Sequence, residues 1–132
     1  MKKFALFLTV LLSQQALATD LLCKNLGGSG DYYFLRLNVE NESFEHWKVV
    51  VDNYEIPLRV SDKTISALVV REEDIFLKLD LVTQQLDRAT LKMFGGGLVK
   101  RCDILEDLEE QIEKKKALAK ENSEFAKQLR KI

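Results

Sequence analysis

The run Tyr32-Tyr33-Phe34-Leu35-Arg36-Leu37-Asn38-Val39-Glu40 alternates in character with a period of two. Tyr33, Leu35, Leu37 and Val39 share one face, while Arg36, Asn38 and Glu40 share the other. Successive side chains of a strand point to opposite faces, so this pattern predicts a strand with one face on a core. Upstream, residues 21–26 form a second strand-like run, ended by Gly27-Gly28-Ser29-Gly30. Downstream, Asn41-Glu42-Ser43 is a turn, and residues 44–51 follow with Trp47, Val49 and Val51 on a core face. After Asp52-Asn53-Tyr54 come residues 55–60, where Pro57 marks an edge strand because proline cannot donate to a ladder. Residues 64–71 and 75–82 flank Glu72-Glu73-Asp74. Residues 86–93 follow Thr83-Gln84-Gln85, and residues 98–102 follow Gly95-Gly96-Gly97.

That makes about eight short strands at roughly 8–12-residue spacing, the signature of a mainly β antiparallel barrel or sandwich. The turns are too short for the crossover helices of a parallel sheet. The reading places an antiparallel β-domain at residues 19–102, closed or nearly closed. The chain has two cysteines, Cys23 in the first strand and Cys102 at the end of the last. Two cysteines allow one intramolecular pairing, so a disulfide is expected to hold the ends of the sheet together.

Composition changes at Cys102. From Asp103 there is no Gly, Pro or Val, and residues 103–132 are expected to form one long C-terminal helix. Asp103 with Glu106 makes a capping-box pattern. Acidic residues crowd the start and basic residues the end, which complements the helix dipole. A heptad frame through Leu105, Leu108, Ile112, Lys115, Ala119, Asn122, Ala126 and Leu129 carries two polar residues and makes a weak coiled coil. The helix is expected to pack its first turns on the β-domain, with partner binding or self-association as the alternative.

Residues 1–18 read as a cleaved signal peptide. Lys2 and Lys3 form a charged start, an apolar stretch runs through residues 4–12, and Ala16-Leu17-Ala18 is an A-x-A cleavage site. The protein is therefore expected to be periplasmic or secreted, where a disulfide persists. No apolar run reaches the roughly 20 residues of a membrane-spanning helix. With 20 Lys+Arg against 21 Asp+Glu, the chain has no basic excess for nucleic acid.

Catalytic signals are sparse. His46 is the only histidine and falls on the face opposite Trp47 and Val49. There is no G-x-S-x-G elbow and no H-E-x-x-H. Both glycine clusters lead into strand-like sequence, so they are turns and not phosphate loops. Two cysteines and one histidine are too few for a closed zinc site, and no cofactor or metal is expected. The surplus is apolar: Tyr32, Phe34, Phe44 and Phe76 lie opposite the assigned core faces, and Leu118, Phe125 and Leu129 recur along the helix. Contiguous exposed apolar surface marks contact sites, so these seven are the candidate partner-binding residues, unless the helix covers the aromatic ones.

A small exported β-domain with one bridge between its first and last strands resembles the periplasmic inhibitors of C-type lysozymes. Their S-G-x-x-Y signature occurs as Ser29-Gly30-Asp31-Tyr32-Tyr33. Here it lies in the first turn, not mid-chain, and the companion aromatic-lysine motif is missing. The resemblance covers layout and implies blocking of an enzyme by an inserted loop. The expected function is a non-catalytic protein-binding module of the periplasm. The alternative is an inhibitor or immunity-type protein that blocks a cell-wall hydrolase or toxin, and the third reading is a small hydrolase.

Overall fold

The computed structural model describes residues 18–131. The signal-peptide reading lies, but for Ala18, outside the described residues. Among the described residues, ten antiparallel strands precede one helix: β1 (Thr19–Asn25), β2 (Tyr32–Asn38), β3 (Ser43–Val51), β4 (Pro57–Val60), β5 (Thr64–Ala67), β6 (Val69–Arg71), β7 (Asp74–Leu79), β8 (Val82–Asp87), β9 (Lys92–Gly95), β10 (Leu98–Ile104) and α1 (Leu108–Arg130). The strands form one curled half-barrel sheet in the order β4-β3-β2-β1-β10-β9-β8-β7-β6, with β5 also on β3. The mainly β architecture with a C-terminal helix is as the alternation predicts, and Pro57 does open an edge strand.

The first and last strands are neighbours in the middle of the sheet, not its ends. Cys23 lies directly opposite Cys102 in the β1–β10 ladder, and the two form a disulfide. The far edges are joined differently. Residues 64–71 run as one extended segment that changes partner at Leu68: β5 pairs with β3, and β6 pairs with β7. Leu68 is buried in the core between them, its N–H donating to the Glu42 carbonyl at 2.9 Å.

The sheet has two apolar layers. Inside the curl, Leu21, Leu35, Leu37, Phe44, Leu68, Ile75, Leu86 and Met93 pack around the disulfide. Outside it, Tyr32, Phe34, Trp47 and Val49 pack against Leu108 and Ile112 of α1. β2 is therefore buried on both faces at its start, and the aromatic face is covered by the chain's own helix. The heptad frame explains why. Leu108, Ile112 and Ala119 are buried against the sheet, the Lys115 ammonium lies 5.9 Å from the centre of the Tyr32 ring, and Asn122 Nδ2 donates to the Pro57 carbonyl at 2.7 Å. The two polar residues that weaken a coiled coil each have a partner on the sheet.

Two boundaries differ from expectation. Asp103 does not cap the helix; it pairs with Leu22, because β1 needs a ladder partner along its length and β10 supplies it through Ile104. The helix starts after Asp107, which accepts from Gln111 Nε2 at 2.9 Å. The predicted strands at 75–82 and 86–93 are offset. The chain reverses at Asp80-Leu81, both at positive φ, in a two-residue hairpin of the kind usually marked by Asn-Gly. Thr83, Gln84 and Gln85 sit inside β8, and a further turn separates β8 from β9.

Candidate functional site

In four strands the inner face changes from apolar to polar along the curl. In β3, Phe44 is followed at two-residue steps by His46 and Lys48; in β10, Cys102 is preceded by Lys100; in β8, Leu86 is preceded by Gln84; in β1, Cys23 is followed by Asn25. Register sets Tyr33 opposite Lys48 and Asn25 opposite Lys100. These side chains meet the Asp80-Leu81 hairpin. Asp80 accepts hydrogen bonds from the Tyr33 hydroxyl and from the Lys48 ammonium, the latter at 2.8 Å, and Lys48 also lies 3.7 Å from Asp31.

Asp80 is thus the anionic hub of a mostly cationic and neutral group. Hydrogen bonds from Lys48 and then Tyr33 hold its carboxyl below the ordinary carboxylate value. Burial, with the hydrogen bond to Asp80, pushes the Tyr33 hydroxyl up. Burial pulls His46 and Lys100 down, and the Asp80 charge opposes the change at both. Lys100 is 6% exposed, and among the described residues it forms no ion pair. Among the described residues, three buried side-chain atoms lack a hydrogen-bond partner: Asn25 Oδ1, His46 Nδ1 and Gln84 Oε1. All three belong to this polar end. Gln84 fits there only because residue 95 is glycine, since a Cβ at Gly95 would lie 2.6 Å from the Gln84 side chain and 2.5 Å from the Thr83 carbonyl.

Beside this group the wall of the curl opens. Where residues 64–67 leave β7 to pair with β3, a cleft of about 790 Å³ lies between β5 and β7. His46, Ser66, Ala67, Leu77 and Asp80 line it, with the fully exposed Leu81 at its mouth. His46 stacks on Phe44 with ring centres 5.1 Å apart. His46, Ser66 and Asp80 are the residue types of a nucleophilic triad, but they are not wired as one. In a triad the carboxylate orients the imidazole, which in turn takes the serine proton. Here Asp80 is engaged by Tyr33 and Lys48, His46 Nδ1 has no partner, and no hydrogen bond joins Ser66 to His46.

His46 has a sign-definite pH dependence. Its folded pKa lies below the unfolded value of about 6.5, so the unfolded chain takes up a proton that the folded chain refuses. The resulting stability is present above about pH 6.5 and is lost as pH falls from there toward the folded pKa. The charge that acts on the imidazole is Asp80 of the neighbouring hairpin, while Leu35 and Thr64 lie opposite it in register. As His46 is the only histidine, its proton NMR signal reports directly. We expect a titration midpoint below 6.5, and a further drop in Asp80→Asn, which removes the charge that holds it up. A midpoint at or above 6.5 in the wild type contradicts the burial of this ring.

Of the seven residues singled out as partner-binding, the structure places Tyr32 and Phe34 beneath α1 and Phe44 inside the curl, leaving none of the three as open surface. Phe76 is half-buried at the outer wall of the cleft, with the Arg71 guanidinium 6.0 Å from its ring centre. Leu118, Phe125 and Leu129 are exposed along one stripe of α1. Sequence reasoning missed Lys48, Ser66, Asp80, Gln84 and Lys100 as a group. The available signal was polar residues in step with core positions, as in Phe44-x-His46-x-Lys48 and Gln84-x-Leu86. Among the described residues, no helix is long and apolar enough to cross a membrane. A scan of family models finds no match to this chain, and comparisons with curated proteins and with solved structures find none either.

Proposed function

We propose that the chain is an exported, non-catalytic protein-binding module of the periplasm, and that its partner docks in the cleft between β5 and β7. One observation carries this reading: a largely apolar opening of about 790 Å³ interrupts a wall that is otherwise hydrogen-bonded strand to strand. Sites of this kind hold ligands through apolar contact and gain orientation from a few polar groups, here His46 and Asp80. The unwired His46, Ser66 and Asp80 favour binding over catalysis. The disulfide agrees with an oxidising compartment.

The exposed stripe of Leu118, Phe125 and Leu129 favours a second reading, in which α1 is the contact surface. Two variants separate the two. Ser66→Trp fills the cleft and leaves the helix alone; Phe125→Glu does the reverse. Chemical crosslinking in the periplasm, followed by identification of the crosslinked protein, is expected to lose its product in Ser66→Trp and keep it in Phe125→Glu. The opposite pattern assigns the contact to the helix and overturns the cleft.

A further inference from the structure

We infer that the cleft takes an extended polypeptide segment, which adds as a strand between β5 and β7; this deepens the docking reading above and rests on it. The argument starts from the backbone. β5 pairs with β3 on one side only, and residues 77–79 of β7 pair with β8 on one side only. A strand with one neighbour turns half of its N–H and C=O groups outward, so both walls of the cleft present unpaired main-chain donors and acceptors. Backbone groups taken out of water need partners. An occupant that dries this cleft must offer donors and acceptors at strand spacing to both walls. A polypeptide backbone does so, and a lipid chain or a folded apolar surface does not.

The dimensions agree. Four residues of β5 extend about 13 Å, so a segment of four or five residues matches the length of that wall. Direction is constrained as well. β5 runs on into β6, which is antiparallel to β7, so the two walls run in opposite senses. An inserted strand is therefore parallel to one wall and antiparallel to the other.

Side chains set the preference. Inward positions of the added strand meet Thr64, Ser66 and Leu77, which suit small or apolar residues. The inward position nearest the Asp80 hairpin meets His46, whose buried Nδ1 has no partner. Outward positions lie beside Val69, Phe76 and Lys78. The segment that fits alternates apolar residues inward, with one hydrogen-bonding side chain at the His46 end.

The test uses the full mature chain and a displayed library of random seven-residue peptides. The best binder is synthesised in three forms: unmodified, and N-methylated on either alternate set of amides. We expect at least one methylated form to bind roughly tenfold or more weakly, the loss of two ladder hydrogen bonds. Amide exchange at residues 64–67 and 77–79 is expected to slow when the peptide is bound. Ser66→Trp, shown to be folded by its thermal transition, should lose the peptide. Selection of no peptide, indifference to N-methylation, or protection elsewhere in the chain overturns the added strand. So does a concentration-dependent dimer that Ser66→Trp abolishes, which assigns the cleft to a second copy. If periplasmic crosslinking still depends on Ser66 while no peptide binds, the docking reading survives and this inference alone falls.

Discussion

Replacing Cys23 and Cys102 together with alanine is expected to lower the unfolding free energy by roughly 4–5 kcal/mol. The bridge closes a loop across 79 positions of sequence, and a loop of that length removes much of the freedom of the unfolded chain. The cysteines already face each other in the β1–β10 ladder, so the loss arises mainly in the unfolded state. Small domains have only about 5–15 kcal/mol in total, so the double variant should be close to the limit of folding. Urea unfolding of the oxidised protein and of the variant reads the difference as a shift in midpoint. A loss below about 1 kcal/mol would mean that the ladder alone restrains the chain, contrary to the chain-entropy account.

Phe34→Ala is expected to cost about 3–5 kcal/mol, the range for truncating a buried aromatic side chain. Phe34 is fully buried between the sheet and α1, with Trp47 opposite it in register and Tyr32 edge-on at 6.1 Å. Its removal leaves a void under Leu108 and Ile112, the residues that dock the first turns of the helix. Phe76→Ala is the internal control. Its ring is half-buried on the outer wall, and its loss should cost about 1 kcal/mol or less. Thermal unfolding of the two variants side by side decides between a covered layer and an open aromatic surface. Equal, small losses would show that α1 does not cover Phe34.

These expectations also mark how far the sequence could be read. Alternation in residues 32–40 was enough to identify a half-buried strand, and its neighbours repeated the pattern closely enough for a mainly β fold with a trailing helix. The disulfide followed from there being two cysteines. What alternation could not supply was the second buried face of β2. Tyr32 and Phe34 look the same whether a partner or the chain's own helix covers them, and the answer depended on where α1 packs. The Asp80-Leu81 turn was hidden because Leu81 is not a usual left-handed former and looks like core while standing in solvent. The polar group around Asp80 stayed hidden for a related reason. Its members come from five strands and a hairpin, and only the curl of the sheet brings them together.

The pairing of Cys23 with Cys102 also bears on mechanics. The two strands it welds carry the start of the described chain and the root of the helix. Tension applied between Thr19 and α1 would pass through a few residues of β1, across the sulfurs and out along β10. The remaining strands, the cleft among them, would carry no load. A domain wired in this way can be tugged at β1 and at α1 while the rest of its sheet keeps its shape.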